Sequence, residues 1–248
     1  MLNGAGGFGQ GHDLTLLISK PLSVLGNQAL PIFFNFFFVF SIYFLIKPFV
    51  KYPEFAFVFG PVVPLASVYA QIFALGFFNF ALGSYFRDNK KACLLFFCLI
   101  FLAHYWTGLF AFGILMLFFL IHKSKWWALQ PAICIVTLFF FLIMPQGISF
   151  LGDVSASANE DILHYFFLLS RGFSFFMFGL VGLYMLYFKN KDFFKLNFLL
   201  FFIPLAIALV FRSSTYWAWR VFYFIPMLAL FSVLMSSLYE MDKWHHLK

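Results

Sequence analysis

The sequence predicts an all-α fold: a polytopic α-helical integral membrane protein with about nine transmembrane segments, several paired as short helical hairpins. Three observations predict it. Of the 248 residues, 64% are hydrophobic and only 10% charged, where a soluble domain is roughly 45–50% apolar and about 25% charged. The charges punctuate long runs that carry no Asp, Glu, Lys or Arg at all, namely 21–46, 55–86, 92–122, 126–152, 172–188, 196–211 and 221–239. Strict alternation of apolar and polar residues, the mark of a membrane barrel, is missing. Together these exclude a soluble domain, a disordered chain and a disulfide-rich secreted module.

Taken in order, the chain reads as one transmembrane domain over 1–248. An outer-face segment occupies 1–27, a helical bundle 28–239 and a cytoplasmic tail 240–248. The opening up to Asp13 has no basic n-region and no apolar core, so it is not a secretory signal peptide. Residues 14–26 form an amphipathic stretch expected to lie along the membrane surface. A bilayer core of about 30 Å takes roughly 20 helical residues, and backbone groups in lipid must be paired internally, so each apolar run is expected to be helical. Two runs are too long for one straight span. In 55–86 the sequence Gly60-Pro61-Val62-Val63-Pro64 should break a helix, because proline removes a donor and clashes with the preceding turn. In 92–122 the polar group His104-Tyr105-Trp106-Thr107-Gly108 sits near the centre. Either run is a long tilted helix or a hairpin.

The positive-inside rule decides for hairpins. With both folded back, Lys47, Lys51, Arg87, Lys90, Lys91, Lys123, Lys125, Lys189, Lys191, Lys195, Lys243 and Lys248 share the cytoplasmic side, which is 12 of the 16 basic residues. The acidic loop 145–164 then falls outside. The expected placement is integral to the cell membrane, with the N-terminus outside and the C-terminus cytoplasmic.

Catalytic signatures of the common kinds are absent. There is no P-loop, GxGxxG, HExxH or GxSxG. Cys93, Cys98 and Cys134 lie in apolar runs without metal-ligand spacing and read as small core residues. The formal net charge of +7 is explained by the cytoplasmic anchors, with no nucleic-acid partner implied. The 44 phenylalanines are spread through the chain and mark no cofactor box.

Polar residues in so apolar a chain need a reason, and four clusters meet on the outer face. Gly11-His12-Asp13 leads into the amphipathic segment; Asp13 is either a general base or the cap of that helix. His104 and Trp106 stand in the central turn, as substrate contacts or as turn-forming groups bonded to backbone. Asn159-Glu160-Asp161 resembles a helix start and is followed by His164 and by Arg171, a charge costly at its depth unless paired or snorkelling. Arg212 and Arg220 bracket Tyr216, Trp217 and Trp219. Guanidinium groups bind phosphate in a bidentate manner and aromatic rings stack on sugars, while an ordinary interfacial belt has the same composition.

This arrangement resembles the GT-C class of polytopic membrane glycosyltransferases, the superfamily of oligosaccharyltransferases and protein mannosyltransferases. The resemblance rests on Arg87-Asp88-Asn89-Lys90-Lys91 with the apolar helix behind it, on Ala103-His104-Tyr105-Trp106-Thr107-Gly108, on Arg220-Val221-Phe222-Tyr223-Phe224-Ile225-Pro226 before a late span, and on Gly11-His12-Asp13-Leu14 through Lys20-Pro21-Leu22 as the tail of a first outer loop. It implies a polyprenyl-phosphate-linked sugar as donor and a carboxylate base, which falls on Asp13. It also implies lipid-phosphate contacts at Arg212 and Arg220, with a divalent metal left open as cofactor. Relative to that family the chain lacks the first transmembrane helix and the acidic residue directly after it, so a partner membrane chain supplying that helix is expected.

The leading functional reading is therefore a GT-C-like glycosyltransferase, or the major part of one, working on the outer face. In that reading Asp13 is catalytic, and His12, His104, Trp106, Arg171, Arg212, Tyr216, Trp217, Trp219 and Arg220 bind substrate. The alternative is a non-catalytic structural or accessory subunit of a multi-subunit membrane complex. A channel or transporter lined by Asn35, Gln71, Asn79 and Arg171 ranks third, because no acidic residue lies inside a span and no inverted repeat is visible.

Overall fold

The computed structural model describes residues 13–26, 29–59, 69–122, 129–143, 173–211, 229 and 232–241. Within them the architecture is all-helical and no strand occurs. The helices are α1 (Asp13–Ser23), α2 (Ala29–Ile46), α3 (Phe55–Phe59), α4 (Tyr69–Phe86), α5 (Lys90–Ala103), α6 (Tyr105–His122), α7 (Leu129–Ile143), α8 (Phe173–Lys189), α9 (Lys191–Phe211) and α10 (232–241). One of them, Ala29–Ile46, is by itself long and apolar enough to cross a membrane; Ala70–Phe86, Thr107–Ile121, Leu129–Phe140 and Leu180–Lys189 are shorter apolar helices.

The centre of the bundle is α4, whose residues 72–85 are all buried. Its packing on α2 is set by two glycines. A Cβ at Gly76 would stand 2.7 Å from Cδ1 of Phe37, and one at Gly83 would stand 2.7 Å from Cδ1 of Phe44. Both pairs are seven residues apart, two helical turns, so the two rings seat on two bare stretches of backbone along one face. Phe37 cannot swing aside, because Phe73, Phe77 and Phe80 surround it at centroid distances of 4.7, 5.2 and 5.5 Å.

These contacts also fix direction. Phe34 meets Phe73, Phe37 meets Phe77, and Phe44 meets Phe80, so residue numbers rise together and α2 and α4 run parallel. The chain must therefore travel back between them. The short α3 makes part of that return, with Phe57 beside Tyr43 and Phe36 of α2. It stops at Phe59, directly before the Gly60-Pro61 pair expected to break the helix; residues 60–68 lie outside the described part. The return brings Lys47 and Lys51 to the same end of the bundle as Arg87, Lys90 and Lys91.

Arg87 is the clasp at that basic end. Its Nη1 donates to Gly83 O at 2.8 Å and its Nη2 to Phe44 O, closing the last carbonyls of α4 and α2 with one side chain. The guanidinium lies 3.8 Å from the Phe44 ring centroid, a cation–π contact. Partial burial lowers its proton affinity from the ordinary value, with Tyr43 acting in the opposite sense. The following turn puts Asp88 at φ 59°, and Asn89 caps α5 by accepting from the Ala92 amide at 3.1 Å.

The remaining helices alternate in direction. Phe80 stacks near Phe96, as α5 runs back along α4. After His104, α6 returns, and its Phe118 and Phe119 reach Tyr85 near the end of α4. Phe140, near the end of α7, stacks on Phe101 near the end of α5 at 4.9 Å. At the basic end Phe193 of α9 stacks face to face on Phe49 at 4.0 Å and meets Phe86 at 5.9 Å. Lys189 pairs with Glu240 at 3.6 Å, and the Tyr52 amide donates to Ser236 Oγ, so α8 and α10 also end there.

Substituting Gly76→Ala or Gly83→Ala should lower stability by about 1–3 kcal/mol through overpacking, read as a lower thermal unfolding midpoint of the purified protein. Gly113→Ala in α6, where a Cβ would meet nothing within 4 Å, should leave the midpoint unchanged or raise it.

Candidate functional site

The end opposite the lysines is built from the α5–α6 turn and from α1. A single residue, His104, makes the turn. Its backbone is extended at φ −160° and ψ 106°, and its N–H closes α5 by donating to Ile100 O at 2.8 Å. Its own carbonyl accepts from the Gly108 amide at 3.1 Å, so the same residue opens α6. The imidazole completes the start of that helix. Nδ1 accepts from the Thr107 amide at 3.1 Å and lies 2.8 Å from Thr107 Oγ1. Thr107 is the third residue of α6, and its amide is one of the donors a helix start leaves without an intrahelical acceptor. Histidine here does the work usually done by Ser, Thr, Asp or Asn at an N-cap. An acceptor role for Nδ1 puts the proton of the neutral ring on Nε2.

So tight a turn requires Gly108. A Cβ there would stand 2.5 Å from Cδ1 of Phe101, and Phe101 is itself pinned under Phe140. His104, Tyr105 and Thr107 are all buried, at 6%, 3% and 1% exposure.

Helix α1 is fastened to this turn. Thr15 Oγ1 donates to Ala103 O at 3.0 Å, a buried bond between residues 88 apart in sequence, and Ser19 Oγ donates back to Thr15 O. Leu14 and Ile18 pack on the core beside them. The opposite side of α1 carries Leu17, 66% exposed, with Lys20, and Val24 in the turn after it is 84% exposed. The amphipathic pattern over 14–26 is thus divided in an unusual way. Small hydroxyl side chains lie inward beside two aliphatics, and further aliphatics lie outward.

Among the sequence-predicted residues, the structure brings two segments together. Asp13 is the first residue of α1, two positions before the hydroxyl that bonds the α5 terminus, and His104 follows the carbonyl that accepts it. Trp106 stands in the first turn of α6. His12, Arg171, Arg212, Tyr216, Trp217, Trp219 and Arg220 lie outside the described residues, as do Asn159, Glu160, Asp161 and His164.

Two features escaped the sequence reading. Arg87, read there as a cytoplasmic anchor and as part of the segment that carries the resemblance, closes two helices at once; the available signal is Gly83 one turn before it. Asn79, considered above as a path-lining residue, donates from Nδ2 to Ser41 Oγ at 2.9 Å and ties α4 to α2. Among the described residues no group of three or more His, Cys, Asp and Glu side chains is placed to hold a metal ion.

If the imidazole serves as a cap, His104→Asn should keep the stability of the purified protein near wild type. His104→Ala should cost about 1 kcal/mol, seen as a lower unfolding midpoint. Thr15→Val should release α1, detected as faster proteolytic cleavage within 13–26. Comparison of the chain with protein-family models, with curated proteins and with solved structures finds no match.

Proposed function

We propose that the chain is a polytopic α-helical integral membrane protein with its lysine-rich end in the cytoplasm, and that the opposite end is the working face of a GT-C-like glycosyltransferase. The observation that carries the membrane part is the inverted distribution of polarity. Ser41, Asn79, Thr137, Asn197 and Ser232 are buried, whereas Ile32, Phe36 and Ile135 are 66%, 62% and 67% exposed. The outward residues follow helical spacing, 32–36–40 on α2 and 135–138–139–142 on α7, and comparable stripes occur on α6 and α8. No Asp, Glu, Lys or Arg is buried among the described residues. Apolar surface on this scale exceeds what a water-exposed monomer tolerates, and lipid is the solvent that accommodates it on every side. Apart from Lys20 in α1, the described basic residues crowd at one end, in keeping with the positive-inside rule.

The transferase part rests on the resemblance, supported by the joining of the N-terminal segment to the α5–α6 turn. In this reading Asp13 takes the proton from an acceptor hydroxyl as that oxygen attacks the anomeric carbon. The bond from that carbon to the phosphate oxygen breaks, and the polyprenyl phosphate leaves with the bonding pair. Arg212 or Arg220 binds the leaving phosphate, and Tyr216, Trp217 and Trp219 line the sugar site. A second reading, a non-catalytic subunit of a larger membrane assembly, is favoured by one observation: His104 Nδ1 is already committed to the α6 cap.

Two measurements test these readings. Single cysteines at Val24 and Lys91 should react with a membrane-impermeant thiol reagent from opposite faces, Val24→Cys in intact cells and Lys91→Cys only after lysis; both reacting from one face would overturn the topology. In a membrane assay of sugar transfer from polyprenyl phosphate, Asp13→Asn should reduce the rate by about 10²–10⁴-fold, with comparable loss in the Arg212→Ala, Arg220→Ala double variant. Unchanged transfer in both leaves the subunit reading.

A further inference from the structure

We propose that the outward stripe of α2 at the basic end holds one anionic phospholipid of the cytoplasmic leaflet, its phosphate at Lys47 and Lys51 and an acyl chain along Phe36, Phe40 and Tyr43. The proposal rests on the membrane reading above and stands independently of the transferase reading. Residues 36, 40, 43 and 47 follow spacings of four, three and four, which is one face of a helix. The rings among them form a row. Phe36 stacks on Phe40 at 6.4 Å with 9° between the planes, and Phe40 on Tyr43 at 6.0 Å with 18°. Lys47 ends the row with its Nζ 5.7 Å from the Tyr43 centroid. Its amide still donates to Tyr43 O at 3.0 Å, so it keeps the register of the rings although α2 ends at Ile46. Phe57 of α3 flanks the row, 6.2 Å from Phe36 and 5.3 Å from Tyr43. Phe36, Phe40 and Phe57 are 62%, 41% and 37% exposed.

Length and charge identify the occupant. The helix rises about 16 Å from Phe36 to Lys47, and half of a hydrocarbon core of about 30 Å is about 15 Å. An acyl chain laid on the rings therefore reaches from the middle of the bilayer to the level of the ammonium group, the depth of one leaflet. Near-parallel rings give that chain a continuous apolar surface, and Phe57 borders it on the α3 side. At the top, the Tyr43 face attracts the Lys47 cation, and an ammonium group with three donors still has hydrogens for a phosphate oxygen. Lys51 is exposed in the same connection to α3, with its Nζ 5.7 Å from the Tyr52 centroid. Glu54 is the exposed acid of that connection. Two lysines against one carboxylate leave it positive, which complements a headgroup of net negative charge and gains nothing from a zwitterionic one.

Native mass spectrometry of the intact protein purified in detergent tests it, with phosphatidylglycerol and phosphatidylcholine of the same acyl chains as probes. One phosphatidylglycerol should bind in preference to phosphatidylcholine. The Lys47→Gln, Lys51→Gln double variant, or Lys47→Gln alone if the double variant fails to fold, should bind phosphatidylglycerol less tightly, by about 30-fold for the pair, with phosphatidylcholine unaffected. Lys91→Gln with Lys191→Gln removes the same charge from two other exposed turns and should leave binding near wild type. Phe36→Ala with Phe40→Ala should weaken both lipids. Equal affinity for the two lipids overturns the proposal, as does unchanged binding in the Lys47 variants or an equal loss in the Lys91, Lys191 variant. A dimer that Phe36→Ala with Phe40→Ala dissociates also overturns it, since a second copy then covers the rings. Thiol labelling at Val24 and Lys91 judges the membrane reading separately, so a failure of lipid preference in a protein of the expected topology counts against this site alone.

Discussion

The seating of Phe37 and Phe44 on Gly76 and Gly83 is the constraint from which the rest of the bundle follows. Large rings on one helix against bare backbone on the other bring α2 and α4 close along two turns, and the pairings of Phe34 with Phe73, Phe37 with Phe77 and Phe44 with Phe80 make the helices parallel. Parallel neighbours in sequence order demand a return path, which is why the chain breaks after α3. The return in turn sets Lys47 and Lys51 beside Arg87. Once α4 is held on that side, α5 and α6 close around its remaining faces, and α4 becomes the buried axis of the molecule. Arg87 can then reach the last carbonyls of both helices from one position, because Gly83 leaves room for its guanidinium.

Much of this was legible in the spacing of charges. Lys47, Arg87 and Lys189 stand within a residue of the helix ends beside them, and the His104 interruption coincides with the break between α5 and α6. What could not be read was register. With 44 phenylalanines in the chain, no pattern singles out Phe37 as the ring that meets a glycine, and an isolated Gly in an apolar run looks like a weak helix former and not like a socket. The role of His104 was legible as one of two alternatives. Only geometry shows Nδ1 on the Thr107 amide.

The hydroxyl and amide side chains divide into two economies. Ser19, Ser41, Thr137, Asn197 and Ser237 donate to carbonyls three or four residues earlier in their own helices. Such back-bonding hides a polar group without joining anything. Bonds that cross between segments are Thr15 to Ala103, Asn79 to Ser41, the Tyr52 amide to Ser236 and Arg87 to Phe44 O. In an apolar interior each crossing bond is costly to leave unmade, so these specify which helix lies beside which, while the phenylalanines supply bulk.

The two ends of the bundle are closed by different physics. The basic end is shut by aromatic surface: Phe49, Phe86 and Phe193 stack on one another, with Phe118 against Phe86 and Arg87 clasping two termini. Such packing is dense. The opposite end is closed by a one-residue turn and by a short helix fastened through Thr15 and two aliphatic contacts. Moving α1 parts one hydrogen bond worth about 1 kcal/mol and the packing of Leu14 and Ile18, whereas parting the stacked rings would expose several buried aromatics at once.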